Sequence, residues 1–197
     1  MHISEGVPAV IPAAGRSQRM GSPKALLDAG GRSFLARILA TLREGGAGPL
    51  LVVVRDTDGP LAQEARDHGG TVVLNPDPSI GPVASLQAGL RSLPNHAPAV
   101  LFAPVDHPLF TAATVECLIR GFVESRAPLV VPAFEGWRGH PVLFSRNVFP
   151  ELLEENLPEG ARTVVRRYLD DRLQLSVDDP GILADIDTQE DYRKHFS

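Results

Sequence analysis

Short apolar runs alternate with amphipathic helical patterns along most of the chain, and this alternation constrains the fold more than any other feature. The apolar runs are nearly continuous, which is typical of strands that are buried on both faces of a sheet. They occupy residues 7–12, 50–55, 71–75, 99–104, 129–133 and 140–145. Because strand–helix–strand units connect parallel strands by right-handed crossovers, this order predicts a mostly parallel sheet covered by helices on both faces.

The helical patterns lie between these runs. Residues 34–42 place their apolar side chains on one stripe, Ser33 is a candidate N-cap, and Gly45 follows as a stop. Comparable patterns occupy residues 60–70, 82–93 and 111–126. We therefore predict an α/β protein with a three-layer α/β/α, Rossmann-like architecture.

Length and charge limit the classes of protein that fit this pattern. The 197 residues, 43% of them hydrophobic, suit one domain with a proper core, so residues 1–197 are predicted to form a single domain. Residues 134–171 break the rhythm, and we expect them to form an elaboration over one edge of the sheet. The net charge of −5 argues against binding to nucleic acid or to an anionic membrane, since both need a basic footprint.

Other global features indicate a cytoplasmic protein. A single cysteine, Cys117, excludes an internal disulfide and a cysteine-rich metal site. No apolar run approaches the roughly 18 residues of a membrane-spanning helix. The N-terminal residues "MHISEG" lack the basic start and the apolar core of a signal peptide.

Ligands of parallel α/β sheets bind beyond the carboxyl ends of the strands. The loops expected to meet at that edge span residues 12–24, 75–82, 104–108 and 134–140. The first loop combines glycines, whose backbone N–H groups can approach a ligand closely, with arginines and a lysine. This combination predicts a site for polyphosphate, and a solvated basic turn is the alternative interpretation.

Two familiar phosphate-binding motifs are excluded. The dinucleotide pattern G-x-G-x-x-G is absent, and Ser22 and Pro23 separate Gly21 from Lys24, which breaks the P-loop pattern. Instead, A-A-G-x-S-x-R-M-G-x-P-K over residues 13–24 resembles the signature loop of the nucleotidyltransferases that include the molybdenum-cofactor cytidylyl- and guanylyltransferases. The family usually has leucine at the position of Pro12.

The resemblance implies a nucleotide-diphospho-sugar transferase-like fold and a loop that holds the triphosphate of a nucleotide. It extends to "NPDPSIGPVASLQAGL" from residue 75, to "PVDHPLF" around Asp106, to "GWRGHPVLF" and "GAR" on the acceptor side, and to "DIDTQEDY" at the end. The residues that it implies for nucleotide binding are Ala13, Ala14, Gly15, Arg16, Gly21, Lys24, Asn75, Gly81 and Ser85. Those implied for catalysis are Arg19, Lys24 and Asp106.

The same resemblance implies a metal site and an acceptor site. Asp106 and Asp187 are the implied Mg²⁺ ligands, and oxygen ligands of this kind suit Mg²⁺. Gly139, His140 and Arg162 are the implied acceptor-binding residues. "NLPEGAR" departs from the family pattern ahead of Arg162, which leaves the identity of the acceptor open.

The resemblance implies transfer of CMP from CTP, with GTP as the other possible donor, to a phosphorylated acceptor of the molybdopterin type. A molybdoenzyme is the implied protein partner. "AAG" rather than "AGG" at residues 13–15 favours the cytidylyl branch. A phosphorylated sugar or a phospholactate-like acceptor is an alternative for the same chemistry. A nucleotide-sugar glycosyltransferase and a nucleotide-binding partner of a molybdoenzyme are alternatives of other classes.

Several of these residues also have purely structural interpretations. Asp106 follows a strand and could be a helix cap, and Asp185 and Asp187 could be surface residues beside a capping threonine, Thr188. The arginines of the segment from residue 160 could clamp the acceptor phosphate or form a solvated helix face; they are Arg162, Arg166 and Arg167. Trp137 could stack on a substrate ring or lie in an exposed turn.

Overall fold

A computed structural model of the chain describes residues 6–15 and 23–196. Its strands are β1 (Val7–Pro12), β2 (Ala47–Val54), β3 (Thr71–Leu74), β4 (Ala99–Phe102), β5 (Leu129–Phe134), β6 (Trp137–Arg138), β7 (Val142–Ser145) and β8 (Leu173–Ser176). Its helices are α1 (Phe34–Glu44), α2 (Pro60–Asp67), α3 (Pro82–Arg91), α4 (Ala112–Ser125), α5 (Phe149–Leu152), α6 (Ala161–Arg167) and α7 (Gln189–Phe196). In this part of the chain, no helix is long and apolar enough to cross a membrane.

The central strands are buried on both faces, which explains their continuous apolar sequence. In β1, Ala9 and Ile11 pack into the core on one face of the sheet, and Val10 packs into the core on the other. Helices α1, α2 and α4 cover the first face, and α3, α5 and α6 cover the second. The predicted three-layer α/β/α architecture is therefore confirmed.

The strand order places a ligand-binding crevice between β1 and β4. The order is β3-β2-β1-β4-β7-β5-β6, with β8 paired to β5. Strands β1 to β4 pair in parallel, whereas β7 runs antiparallel to both β4 and β5. The connections after β1 lead outward in one direction and those after β4 in the other. This reversal is the topological switch point at which such sheets bind ligands.

The segment 134–171 differs in one respect from the expected elaboration over an edge. Strand β7 lies inside the sheet between β4 and β5, because all four of its residues are buried and need cover on both faces. Helices α5 and α6 pack on the same face as α3. Since β7 is antiparallel, its N-terminal end lies at the edge where β4 and β5 end.

Strand β2 begins before the predicted apolar run at residue 50. Its register with β1 shifts between the pairs Val7–Ala47 and Ala9–Leu50, so that β2 contains one extra residue at that point. This bulge includes Pro49, which has no N–H group to donate to the ladder. Strand β2 therefore begins on the N-terminal side of this proline, at Ala47.

Asp179 fixes the C-terminal segment to the start of α4. It is 4% exposed, and its carboxylate accepts hydrogen bonds from Thr111 N at 2.8 Å, Thr114 Oγ1 at 2.6 Å and Gly181 N at 3.0 Å. Gly181 leaves no room for a side chain, because a Cβ there would lie 2.1 Å from the carbonyl oxygen of Leu109. These contacts lead the chain from β8 back toward the end of β4.

Helix α7 is attached through an aromatic cluster. The rings of Tyr192 and Phe196 lie 6.2 Å and 5.3 Å from the ring of Phe34, at the start of α1. Ile186 is fully buried in the same cluster. The short segment between Asp185 and Asp187 is therefore anchored by its middle residue.

Candidate functional site

The loop after β1 begins at the crevice with small residues. Ala13 and Ala14 are buried, whereas Gly15 is exposed, and a Cβ added there would meet no atom of residues 6–15 and 23–196 within 4 Å. The Ala14 carbonyl oxygen accepts a hydrogen bond from Arg55 Nε at 3.1 Å. No described residue therefore covers the backbone at Gly15, and phosphate binding by this loop stays a prediction.

Of the remaining predicted residues of this loop, the structure describes Lys24. Arg16, Arg19 and Gly21 lie outside the described residues. Lys24, in a short 3-10 turn at Lys24–Leu26, is described, and its ammonium group forms an ion pair with Asp187. The side chain of Lys24 is 12% exposed, so the pair is partly shielded from solvent. The first and last motifs of the resemblance thus meet across the crevice.

Asn75 and Ser85 hold the second loop in place. Asn75 is 2% exposed; its Nδ2 donates to Ser85 Oγ at 3.0 Å, and its Oδ1 accepts from Asp77 N at 3.0 Å. Both polar ends of the Asn75 side chain are therefore used within the protein. We infer that these residues shape the predicted nucleotide site rather than line it.

Gly81 connects this loop to α3. Its φ of +103° lies in a region that L side chains rarely adopt, and a Cβ added there would meet no atom of the described residues within 4 Å. The peptide at this position lies at the N-terminus of α3, where backbone N–H groups have no helical partners. Among the described residues, none covers this peptide, and the role of Gly81 in nucleotide binding stays a prediction.

Asp106 lies in a tight turn beyond β4. The ladder continues through Ala103 N, which donates to Val10 O at 3.0 Å, and the turn closes with His107 N donating to Pro104 O at 3.1 Å. The Asp106 carbonyl oxygen accepts from Ile186 N at 2.9 Å. This backbone bond brings the C-terminal acidic segment to the end of β4, so Asp106 is not a helix cap.

Asp106, His107 and Asp185 form a cluster, which we call the Asp–His–Asp trio. One potential ligand atom from each lies within 4.8 Å of those of the other two. Asp106 Oδ1 is buried and has no hydrogen-bond partner among residues 6–15 and 23–196. A buried carboxylate oxygen without a partner is costly, and a cation would satisfy it. The residues present therefore fit a divalent metal ion.

The electrostatics of the trio agree with this fit. Desolvation, reinforced by Asp106 and Asp187, raises the pKa of Asp185 from 3.8 to about 6, although Lys24 acts in the opposite direction. Carboxylates this close repel one another, and a cation bound between them would relieve the repulsion. The resemblance implies Asp106 and Asp187 as the two metal ligands. In the structure, Asp187 forms an ion pair with Lys24, and Asp185 is the carboxylate that clusters with Asp106.

The two histidines of the crevice are neutral. Burial lowers the pKa of His107 to about 4, and burial with the neighbouring His107 lowers the pKa of His140 to about 4. Their ring centroids lie 4.6 Å apart. His140 reaches this position because it stands at the N-terminal end of the reversed strand β7.

Close packing explains why residue 139, which is predicted to lie on the acceptor side of the crevice, is a glycine. A Cβ at Gly139 would lie 2.1 Å from the carbonyl oxygen of Ile182, and the next backbone N–H, at His140, donates to that oxygen at 3.0 Å. The turn from residue 135 and the C-terminal segment therefore pack backbone to backbone. Gly139 fixes the position of His140. Trp137, in the same hairpin, is 74% exposed.

The structure distinguishes between the arginines of α6. Arg167 donates to Glu151 and Glu154, and Arg166 forms an ion pair with Glu159. Both belong to the solvated helix face that the sequence left open. Arg162 makes no hydrogen bond or ion pair within the described ranges, and its charge acts on His140 and helps to lower that pKa. Arg162 is therefore the arginine of α6 whose charge acts on His140.

The structural interpretation of Thr188 is also correct. The Asp191 carboxylate accepts from Thr188 N at 2.8 Å, and Thr188 Oγ1 accepts from Asp191 N at 3.2 Å, which is a capping box at the start of α7. The same cap also receives a hydrogen bond from Asp187 N at 3.1 Å. The carboxylate of Asp191 therefore caps α7 and also binds the backbone of Asp187.

Sequence reasoning did not assign a role to several residues of the crevice. The position of His107 directly after Asp106 is the signal that could have indicated it as a candidate ligand. Arg55 ends the second apolar run, and its position at the carboxyl end of a strand could have indicated it. The sequence interpretation of Asp185 was a surface residue beside Thr188 and not a metal ligand.

The comparisons with known proteins agree with this geometry. Residues 9–173 match the family described as the MobA-like NTP transferase domain. The molybdenum cofactor guanylyltransferase of Rhizobium meliloti is 36% identical over 76% of this chain and 66% of its own length. The 2-C-methyl-D-erythritol 4-phosphate cytidylyltransferase of Streptomyces coelicolor is 34% identical over 64% of this chain and 48% of its own. The chain thus spans about two thirds and about half of these curated relatives.

A solved structure matches nearly the whole chain. Rv0371c from Mycobacterium tuberculosis H37Rv has a TM-score of 0.80 at 29% identity, covering 96% of this chain and 97% of that one. Its complex with manganese has a TM-score of 0.76 at 28% identity, with coverage of 96% and 97%. These matches extend the similarity to the C-terminal acidic segment, which lies beyond residue 173.

Proposed function

The chain belongs to the family of MobA-like NTP transferase domains, a family of nucleotidyltransferases, and from this membership we propose that it transfers CMP from CTP to a phosphorylated acceptor. The proposed acceptor is of the molybdopterin type, and pyrophosphate is released. The observation that carries the proposal is the meeting of Lys24, Asp106 and the acidic segment at the switch point of the sheet. We further propose one nucleotidyltransferase domain over residues 1–197 that acts in the cytoplasm, with a molybdoenzyme receiving the product.

We propose that the triphosphate lies over the loop after β1. No described residue covers the exposed peptide at Gly15 or the start of α3 at Gly81. Lys24 is close enough to Asp187 to exchange that carboxylate for a phosphate oxygen. Arg16, Arg19 and Gly21, which lie outside the described residues, are proposed to complete the cradle.

We propose that the divalent cation used by this family is Mg²⁺ in this protein. Asp106 would hold it together with carboxylates of the acidic segment around Asp185 and Asp187. Asp185 is nearest to Asp106, and Asp187 stays a proposed ligand that is paired with Lys24 in this structure. When bound, such a cation neutralises charge on phosphate oxygens. The closeness of Asp106 and Asp185, together with the buried Asp106 Oδ1 that has no partner among the described residues, supports the proposal.

The chain's own residues would act mainly by positioning and charge. The acceptor phosphate is already ionised, so its attack on the α-phosphorus requires no strong base, and pyrophosphate leaves from the opposite side. Lys24 and Arg19 would stabilise the charge that develops on the leaving pyrophosphate. Losing one such preorganised contact typically lowers the rate by about 10²–10³.

We propose that the acceptor phosphate binds between Arg162 and His140. The charge of Arg162 acts on His140, and Gly139 keeps His140 in place through its contact with Ile182. His140 is neutral at physiological pH, so it would offer a hydrogen bond rather than a charge. Arg162 would then supply the charge and the paired donors that suit a phosphate.

The base of the donor is the point on which two observations disagree. Ala13–Ala14 favours CTP, because the family resemblance associates this pair with the cytidylyl branch. The name of the relative from Rhizobium meliloti, a guanylyltransferase, favours GTP. The relative from Streptomyces coelicolor is named for a different phosphorylated acceptor, which supports the alternative of another small phosphate ester.

The test is pyrophosphate release with each of CTP, GTP, ATP and UTP and with each class of acceptor. We expect CTP with a molybdopterin-type acceptor to give the highest kcat/KM. Asp106→Asn should lower kcat by about 10² or more, since it removes a preorganised ligand. The matched control, Asp170→Asn, changes an exposed aspartate outside the crevice and should leave the rate unchanged. Undiminished turnover of Asp106→Asn would refute the proposed site.

The acceptor site has its own matched pair of variants. Arg162→Gln should raise the KM for the acceptor and leave the KM for the nucleotide unchanged. Arg166→Gln, on the same helix but paired with Glu159, should change neither. Hydrolysis of a nucleotide sugar without pyrophosphate release would instead support the glycosyltransferase alternative. Tight nucleotide binding without turnover for any acceptor would support a binding protein.

A further inference from the structure

The Asp–His–Asp trio contains two buried atoms that lack a partner. Asp106 Oδ1 and His107 Nδ1 both make no hydrogen bond within the part of the chain that the structure describes. Leaving a buried polar atom unpaired destabilises the folded protein, because the atom loses its hydrogen bonds to water. Two such atoms on consecutive residues mark a place where a ligand from outside the chain supplies the missing interaction.

The backbone sets the positions of all three side chains. His107 N closes the turn on Pro104, and the same turn carries Asp106. The hydrogen bond from Ile186 N to Asp106 O then places Asp185 beside it. The three ligand atoms therefore lie within 4.8 Å of one another without any rearrangement of the loop.

We propose that His107 supplies a nitrogen ligand to the divalent cation at Asp106, and that this ligand raises the affinity of the site for a first-row transition dication relative to its affinity for Mg²⁺. The inference rests on the metal site proposed above and adds to it the nitrogen ligand and the selectivity. Mg²⁺ demands oxygen ligands, whereas Mn²⁺ and the later divalent metals also accept imidazole. The mixed set of two carboxylates and one imidazole therefore discriminates between cations that carboxylates alone would bind alike.

His140 is the internal comparison for this assignment. Its ring lies 4.6 Å from that of His107, and its Nδ1 also lacks a hydrogen-bond partner in the described segments. It is not part of the trio, however, and it packs against Phe102 with a ring separation of 6.1 Å. His140 therefore serves as a control within the same molecule, because its imidazole lies near the trio without belonging to it.

The experiment measures the ligands of bound Mn²⁺ by electron spin-echo envelope modulation, in the nucleotide-free protein. We expect modulation from a directly bound nitrogen in the wild type and in His140→Asn, and its loss in His107→Asn. Direct binding measurements should show that His107→Asn lowers Mn²⁺ affinity by about tenfold or more and Mg²⁺ affinity by less than about threefold. Asparagine keeps an oxygen donor, so the site remains usable for Mg²⁺.

Wild-type Mn²⁺ that shows no bound nitrogen overturns the inference without the use of any variant. Equal loss of both cations in His107→Asn also overturns it, because that result indicates a packing role. If Asp106→Asn binds Mn²⁺ as the wild type does, the metal site of the proposed function fails as well. Circular dichroism and thermal unfolding in EDTA show whether each variant is folded.

Discussion

Replacement of Asp185 by asparagine should stabilise the metal-free protein and weaken its stabilisation by metal. The carboxyl of Asp185 is partly desolvated, and Asp106, Asp187 and Asp191 all act on it with the same sign, opposed by Lys24. Asparagine keeps the shape of the side chain and removes the charge. The variant therefore relieves repulsion in the absence of metal and removes a ligand in its presence.

The size of the effect follows from the pKa of Asp185, which is raised from 3.8 to about 6. A shift of this size corresponds to about 3 kcal/mol for a fully shielded group. Because the Asp185 side chain is exposed, screening by solvent reduces the expected gain to about 1 kcal/mol. For a domain of this length, about 1 kcal/mol raises Tm by about 2–4 °C.

The pH dependence has a definite sign. A raised pKa means that the folded state holds the proton more tightly than the unfolded state, so the repulsion is absent below pH 3.8 and grows as the pH rises through about 6. The gain in Asp185→Asn over the wild type should thus be complete at pH 7.5 and small at pH 4.

Thermal unfolding in EDTA at several pH values measures the first effect, and unfolding with saturating Mn²⁺ measures the second. Metal at 100 times its Kd stabilises the wild type by about 2.7 kcal/mol, and the variant should gain less at the same concentration. Asp170→Asn serves as the control. An unchanged or lower Tm for Asp185→Asn in EDTA at pH 7.5, or an equal gain from metal, would refute the reasoning.

Three further variants test the scaffold around the site. Asp179→Asn loses charge-assisted hydrogen bonds and should lower the free energy of unfolding by about 3 kcal/mol in urea titrations; less than about 1 kcal/mol would contradict this. Gly139→Ala places a Cβ 2.1 Å from the carbonyl oxygen of Ile182 and should cost about 1–3 kcal/mol by the same measurement, whereas wild-type stability would show that the backbone yields freely. Asn75→Ala breaks the hydrogen bond to Ser85 and should raise the KM for the nucleotide more than it lowers kcat.

The layers of the fold could be predicted from the sequence, because strands that are buried on both faces have continuous apolar sequences. Val10 and Ile11 are both apolar because each faces a separate core, and the same holds along β2 and β4. The direction of β7 could not be read, since a short apolar run looks the same in either orientation. Strand β8 was missed because its alternating, half-buried sequence is too short to stand out.

The site could be predicted in its residue types but not in all its pairings. Asp106 and Lys24 follow from position and motif. The choice between Asp185 and Asp187 depends on the burial of Ile186 and on the ion pair with Lys24, and neither is local in sequence. Similarly, spacing alone could not show which arginine of α6 acts on His140, because the acidic partners of the others lie outside that helix.

The hairpin ahead of the reversed strand β7 has a consequence for redesign of the protein. It follows β5 and turns at residues 135–136, so this turn can change in length while the paired residues on either side keep their register in the sheet. Trp137, at 74% exposure, already projects beside this turn. Grafting longer turns there, with Gly139 retained, offers a way to alter substrate choice on one side of the cleft without rebuilding the hydrophobic layers beneath.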